Sequence, residues 1–252
     1  MFRGEKVAVK VIRGENMSTA KALALLEKEI SINMHLRSPR LVQYIRVYRK
    51  PPDLVMVCEL MSKGNLRQYL SSAKPTEAVR LKIALQIVRG LTFLHANVPP
   101  IAHRDIKLEN VLVDSQNQAK LCDFGLSAFT SDSGSAKMAG SGLYMPPEAF
   151  LRLRETKQEG KEQQLDVLLK GDVYSFGVLL VELFGYEVPW ARKSWVQLME
   201  AHLAGQDRPI PTDFQPKSIR DLVVSCLHKD LDKRPAVERV LDTLSVIVGE
   251  DD

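Results

Sequence analysis

His103-Arg104-Asp105-Ile106-Lys107-Leu108-Glu109-Asn110 and, thirteen residues beyond Asn110, Asp123-Phe124-Gly125 hold the side chains in this chain best suited to chemistry. They set two oxygen ligands for hard cations, Asn110 and Asp123, and one proton acceptor, Asp105, at fixed separations. Transfer of a γ-phosphoryl group to a hydroxyl leaves little covalent work to a protein. It needs a base near the hydroxyl, cations on the phosphates and a lysine to hold them. Asp105 would accept or orient the substrate hydroxyl, and Asn110 and Asp123 would hold two magnesium ions. Lys10 would clamp the α- and β-phosphates of ATP while Glu29 holds Lys10 in turn.

These residues need elements that position them. Val7-Ala8-Val9-Lys10-Val11-Ile12 is β-branched and short, and in a strand of period two Ala8 and Lys10 share one face. Leu23, Leu26, Ile30 and Met34 predict a helix over residues 20–36, with Glu29 off the apolar stripe and Ser38-Pro39 as its stop. Two strands, 41–48 and 54–60, flank the turn Lys50-Pro51-Pro52-Asp53. The pattern then turns helical. Val79, Ile83, Ile87, Leu91 and Leu94 repeat every three or four residues, and Pro99-Pro100 ends the run. Residues 111–113 and 120–122 read as short strands around a polar turn. Val173 to Phe184 is apolar nearly all round, as a central helix would be. Two amphipathic helices follow, marked by Ile219, Leu222, Val223 and Cys226 and by Val237, Leu241, Leu244 and Val248. The sequence shows no internal repeat.

With 252 residues, 45% of them hydrophobic, the chain can bury a large core, in one two-lobed domain or two small ones. A near balance of 35 basic and 31 acidic residues argues against a dedicated nucleic-acid binder. The three cysteines, Cys58, Cys122 and Cys226, lie far apart with no CxxC pair, so neither a disulfide framework nor a zinc site is expected, and a reducing, intracellular (cytoplasmic) setting fits. Charged residues interrupt the N-terminus, and the longest apolar run is too short to span a bilayer, so neither a signal peptide nor a membrane span is expected.

The motifs together resemble the catalytic domain of eukaryotic protein kinases of the serine/threonine type, nearest the tyrosine-kinase-like group. Val7-Ala8-Val9-Lys10 matches that family's VAIK strand and Glu29 its αC glutamate. His103 to Asn110 matches the catalytic loop, and Asp123-Phe124-Gly125 the start of the activation segment. Met145-Pro146-Pro147-Glu148 stands at the APE position, Asp172 to Gly177 resembles the αF signature, and Arg234 matches the arginine that pairs with the APE glutamate. A lone tripeptide is weak evidence; six motifs in the family's order are strong evidence. The resemblance covers nearly the whole chain. It implies an α+β, two-lobed fold over residues 1–252, with a partial, strand-rich N-lobe and αC helix in 1–61 and a mostly helical C-lobe in 62–252.

The resemblance also implies an ATP- and Mg2+-dependent transfer to Ser/Thr hydroxyls of protein substrates; it does not specify regulatory partners. Cys58 would be the gatekeeper, Glu59 and Met61 would offer backbone groups to adenine, and Ala8 and Leu112 would sandwich the base. Lys107, two residues past Asp105, is the serine/threonine-type residue and joins Asp105 and Lys10 as a catalytic candidate. Dual specificity stays open.

Four features depart from, or add to, that pattern. Lys10 has only nine residues before it, so the glycine-rich loop over the phosphates is expected to be missing, through a truncated coding sequence, alternative initiation or a domain that works without it. The alternative to an enzyme is accordingly a pseudokinase-like binding or scaffold module. Asn33 stands where an apolar residue normally stacks on the DFG phenylalanine, and a buried amide there needs a partner. Residues 152–164 form a charged stretch, read as a solvated insertion or a docking surface. Thr130, Ser131, Ser133, Ser135 and Ser141 are read either as hydroxyls of a flexible solvated loop or as sites whose phosphorylation would order the activation segment by pairing with Arg104. Cys122 is read as a packing residue or a reachable thiol. His35, His95, His202 and His228 show no ligand spacing and carry no assigned role.

Overall fold

The computed structural model describes residues 4, 6–12, 30, 34–50, 53–123, 142–152 and 161–250. Glu29, Asn33, Phe124, Gly125 and the activation-segment hydroxyls lie outside the described residues, as do most of the helix expected over 20–36 and of the charged stretch. Three β-branched segments, β1 (Val7–Ile12), β2 (Tyr44–Lys50) and β3 (Asp53–Glu59), form an antiparallel sheet in the order β1-β3-β2. β3 is the central strand and buries Leu54, Met56 and Val57. The register sets Ala8 opposite Cys58 and Lys10 opposite Met56.

The second strand starts later than the spacing predicts. Leu41 is fully buried and bridges to Leu121, and the Val42 N–H donates to the Leu121 carbonyl at 2.8 Å. The first residues of the expected strand thus satisfy their backbone against the other lobe, which ties the lobes together just below the site.

The larger lobe is helical. α1 (Leu66–Ala73) opens on Asn65, whose side chain accepts from the Gln68 N–H while Gln68 reaches back, a reciprocal cap. α2 (Glu77–His95) carries the predicted apolar stripe and buries Ile83, Ile87, Leu91 and Leu94. After it come β4 (Val111–Val113) and β5 (Ala119–Leu121), an antiparallel pair. The helices α3 (Pro147–Arg152), α4 (Lys161–Leu183), α5 (Trp195–Leu203), α6 (Lys217–Cys226) and α7 (Val237–Val248) complete it. α4 is the axis of this lobe: residues 171–181 are all buried, which explains a run with no polar face.

α6 packs closely on α4 at Gly177, where an added Cβ would sit 2.8 Å from the Cys226 Cβ. Only a residue without a side chain allows that approach. α7 closes the lobe against α2, and Gly249, with φ of 73°, ends it in the left-handed turn that glycine adopts without strain. Among the described residues no helix is long and apolar enough to cross a membrane.

Candidate active site

The loop after α2 is held from below. Asp172, in the buried part of α4, accepts from the backbone N–H groups of His103 at 2.6 Å and Arg104 at 2.7 Å, and its Oδ2 lies 3.0 Å from His95 Nε2. Asp172 and His95 side chains are 1% and 5% exposed, so the carboxylate's solvation comes from these donors. Arg104 takes a left-handed φ of 69°, which this double anchor sustains. His95, given no role from its spacing, is thus part of the support. No spacing marked it, because α2 also carries Arg80, Lys82, Gln86 and Arg89.

Asp105 leaves this anchored turn with its carboxylate between two donors. Lys107 Nζ lies 2.7 and 2.9 Å from its two oxygens, and Asn110 Nδ2 donates to Oδ2 at 2.8 Å and to the Asp105 carbonyl at 2.7 Å. With its amide nitrogen so engaged, Asn110 keeps its side-chain oxygen as the end available to a cation. The short 3-10 turn Leu108–Asn110 produces this geometry by folding Asn110 back over Asp105.

The link to Asp123 runs through the backbone. The Cys122 N–H donates to the Asn110 carbonyl at 2.9 Å, bringing the segment after β5 alongside the loop. From the opposite lobe Lys10 Nζ reaches Asp123 Oδ1 at 2.5 Å, and the Tyr44 hydroxyl lies 3.4 Å from the same oxygen. Asp105, Lys107 and Asn110 thus form one cluster, and the segment bonded beside it carries Asp123 to Lys10 at the junction of the lobes. Asn110 and Asp123 offer one amide oxygen and one carboxylate, a donor set that suits Mg2+, which prefers few protein oxygens plus phosphates and water. Among the described residues no cluster of three or more His, Cys, Asp or Glu forms a closed metal cage.

Of the residues expected to meet adenine, Ala8, Cys58, Met61 and Leu112 lie near the junction. Cys58 Sγ lies 3.8 Å from the Ala8 carbonyl, and Cys58 and Leu112 pack against a small cluster of Val42, Met61 and Cys122. Glu59 differs from the expectation in part. Its backbone N–H is spent on the Gln43 carbonyl at 3.1 Å, and its carboxylate is tied to Lys120 Nζ at 2.7 Å and the Gln43 N–H at 2.8 Å. Only its carbonyl remains for a ligand. The backbone N–H of the buried Met61 has no partner among the described residues, a donor a purine nitrogen would satisfy.

Electrostatics separate inert groups from working ones. Burial, with the Asp123 charge behind it, pushes the Cys122 thiol well above its ordinary value, and burial raises Cys58 as well. Cys122 is thus a packing residue with its thiolate suppressed. Burial lowers the His103 imidazole, so the histidine of the catalytic loop is neutral.

Beside the loop, Arg67 Nε lies 2.5 Å from Glu109, its Nη1 2.5 Å from Glu182, and its Nη2 3.2 Å from the Tyr144 hydroxyl, which itself bonds Glu182. Burial opposes the charge of Arg67, but the hydrogen bonds it donates to Glu182 and Glu109 outweigh this and raise the guanidinium further. This network joins α1, the catalytic loop, the 142–144 turn and α4; sequence spacing held no sign of it. The APE-position contact is present: Arg234 meets Glu148 at 2.7 and 3.2 Å.

Comparison with known proteins agrees with this geometry. A model of the protein kinase domain matches residues 2–244. The probable serine/threonine-protein kinase SIS8 of Arabidopsis thaliana is 32% identical over 96% of this chain and 23% of its own length. Serine/threonine-protein kinase CTR1 of the same plant is 31% identical over 98% of this chain and 29% of its own. Dual specificity protein kinase shkB of Dictyostelium discoideum is 32% identical over 98% of this chain and 38% of its own. The chain thus spans well under half the length of these curated relatives.

Proposed function

The chain belongs to the protein kinase family, and from that premise we propose that it transfers the γ-phosphoryl group of ATP to Ser/Thr hydroxyls of protein substrates. One observation carries the reading: a carboxylate, Asp105, is held between Lys107 and Asn110, and Asp123, on the segment bonded alongside that loop, is met by Lys10 from the other lobe.

In this reading Asp105 accepts the hydrogen bond of the incoming hydroxyl and orients it in line with the phosphoryl group. Lys107, already on that carboxylate, neutralises charge gathering on the transferred group. Lys10 exchanges part of its contact with Asp123 for the α- and β-phosphates, with Glu29 as its second partner. Asn110 and Asp123 would hold magnesium, which would supply positive charge to offset that of the phosphates. Ala8 and Leu112 cover the faces of adenine, Cys58 bounds the pocket behind it, and the Glu59 carbonyl and Met61 N–H read its edge. An intracellular, cytoplasmic setting accompanies this reading, since ATP is abundant there and thiols stay reduced.

A thermal-shift titration with Mg·ATP, paired with phosphoryl transfer to a generic protein substrate and phosphoamino-acid analysis, tests the reading. The expected result is a saturable shift, lost in Asp123→Ala, and phosphoserine or phosphothreonine as product. No shift and no transfer would leave a binding module. Phosphotyrosine beside phosphoserine would widen the specificity to both hydroxyl types.

A further inference from the structure

Asp123 has a φ of 60°, a left-handed backbone that is costly for a residue with a side chain and persists where its surroundings impose it. Lys10 holds one carboxylate oxygen from the small lobe. The second contact comes from Tyr44, the first residue of β2 and 3% exposed. Its hydroxyl sits 3.4 Å from Asp123 Oδ1. The phenol thus meets the side chain of one strained residue.

The placement follows from the fold. The ring packs in the main core with Leu41, Met56 and Leu121, and the register of β2 shifts immediately after Tyr44. That irregularity lets Tyr44 point below the sheet while the rest of the strand follows β3. A phenylalanine would fill nearly the same space. The hydroxyl is the only part of the side chain that makes a polar contact with Asp123.

We propose that Tyr44 is a positioning residue: its hydroxyl pins Asp123 in the left-handed conformation, holds Oδ1 beside Lys10 and leaves Oδ2 to the metal. The proposal rests on the reading of Asp123 as a magnesium ligand. Without the hydroxyl, Asp123 relaxes toward ordinary φ values and its carboxylate leaves the junction for part of the time.

The experiment is Tyr44→Phe with two readouts. Site-resolved amide hydrogen exchange by NMR on the metal-free protein reads the pin directly. The expected result is Asp123 amide exchange faster by roughly tenfold, with the amides of β2 and β3 at wild-type rates. In phosphoryl transfer at fixed ATP, the Mg2+ concentration for half-saturation rises roughly three- to tenfold, the worth of one ordinary hydrogen bond. Unchanged exchange at Asp123, or acceleration spread evenly over β2 and β3, overturns the proposal. If the variant does not fold, wild type decides: an Asp123 amide exchanging as fast as in an unstructured peptide also overturns it. A wild-type protein that shows the protected amide yet neither binds Mg·ATP nor transfers phosphate leaves the pin standing and removes the kinase reading instead.

Discussion

Arg234 and Glu148, 86 residues apart in sequence, form a two-pronged ion pair in which the arginine side chain is 0% exposed. Arg234 also donates to the carbonyls of His228 at 3.1 Å and Lys170 at 2.8 Å, and lies over the Tyr174 ring at 5.0 Å. The start of α3 is thereby tied to α4 and to the turn before α7. A buried pair of this kind adds less than its Coulomb energy suggests, but removing one partner strands the other.

Glu148→Gln is therefore expected to destabilise the protein by about 3 to 5 kcal/mol, through an uncompensated buried guanidinium. Urea denaturation measures it. Combining it with Arg234→Leu is expected to recover part of the loss, because the stranded charge is gone; a double variant as unstable as the sum of the singles would contradict this.

Binding and chemistry separate at two carboxylates. Asp105→Asn is expected to lower phosphoryl transfer by about 10²- to 10⁴-fold and keep the Mg·ATP thermal shift, since it removes the proton acceptor alone. Asp123→Ala is expected to lose the shift. The opposite pattern would reverse the roles assigned to them.

His202 makes stability depend on pH. It stacks on Phe150 with ring centroids 4.6 Å apart, and its Nε2 faces Arg208 Nη2 at 3.3 Å. Burial, then the Arg208 charge, lowers its pKa to about 3. The unfolded chain, near 6.5, binds the proton more readily, so the stabilisation is complete above about pH 6.5 and is lost progressively as pH falls toward 3. Burial lowers His103 in the same direction. Urea midpoints at pH 7.5 and 5.5 are expected to differ less in His202→Phe than in wild type; an equal drop in both would assign the effect elsewhere.

The thiols are expected to resist modification in the native state. Burial pushes Cys226 up to about 12 and raises Cys122 and Cys58, so little thiolate exists at neutral pH. Iodoacetamide at pH 7.5 should label all three far faster in urea than in buffer. Rapid native labelling of Cys122 would restore the reading of a reachable thiol.

Much of the candidate site is legible in the sequence. Asp105, Lys107 and Asn110 lie within one loop, so their mutual geometry depends on a few residues and survives as a fixed spacing. Helices such as α2 and α7 were legible for a related reason, since an apolar stripe of period 3.6 is a local pattern driven by burial. The stripe did not reveal that Leu41 leaves β2 to bridge Leu121, because strand pairing is chosen by which backbone partner the packed lobes offer.

The chain's residue order thus specified the candidates for chemistry: which side chains are able to accept protons, bind cations and carry charge, and roughly where along the chain they lie. Folding settled which of them touch. Tyr44 and Asp123, His95 and Asp172, and Arg67 with Glu182 are separated by 79, 77 and 115 residues, and no local period relates such positions. Their contacts arise because burying the helices and strands against one another leaves polar groups without water, and each buried group takes the partner that packing places nearest.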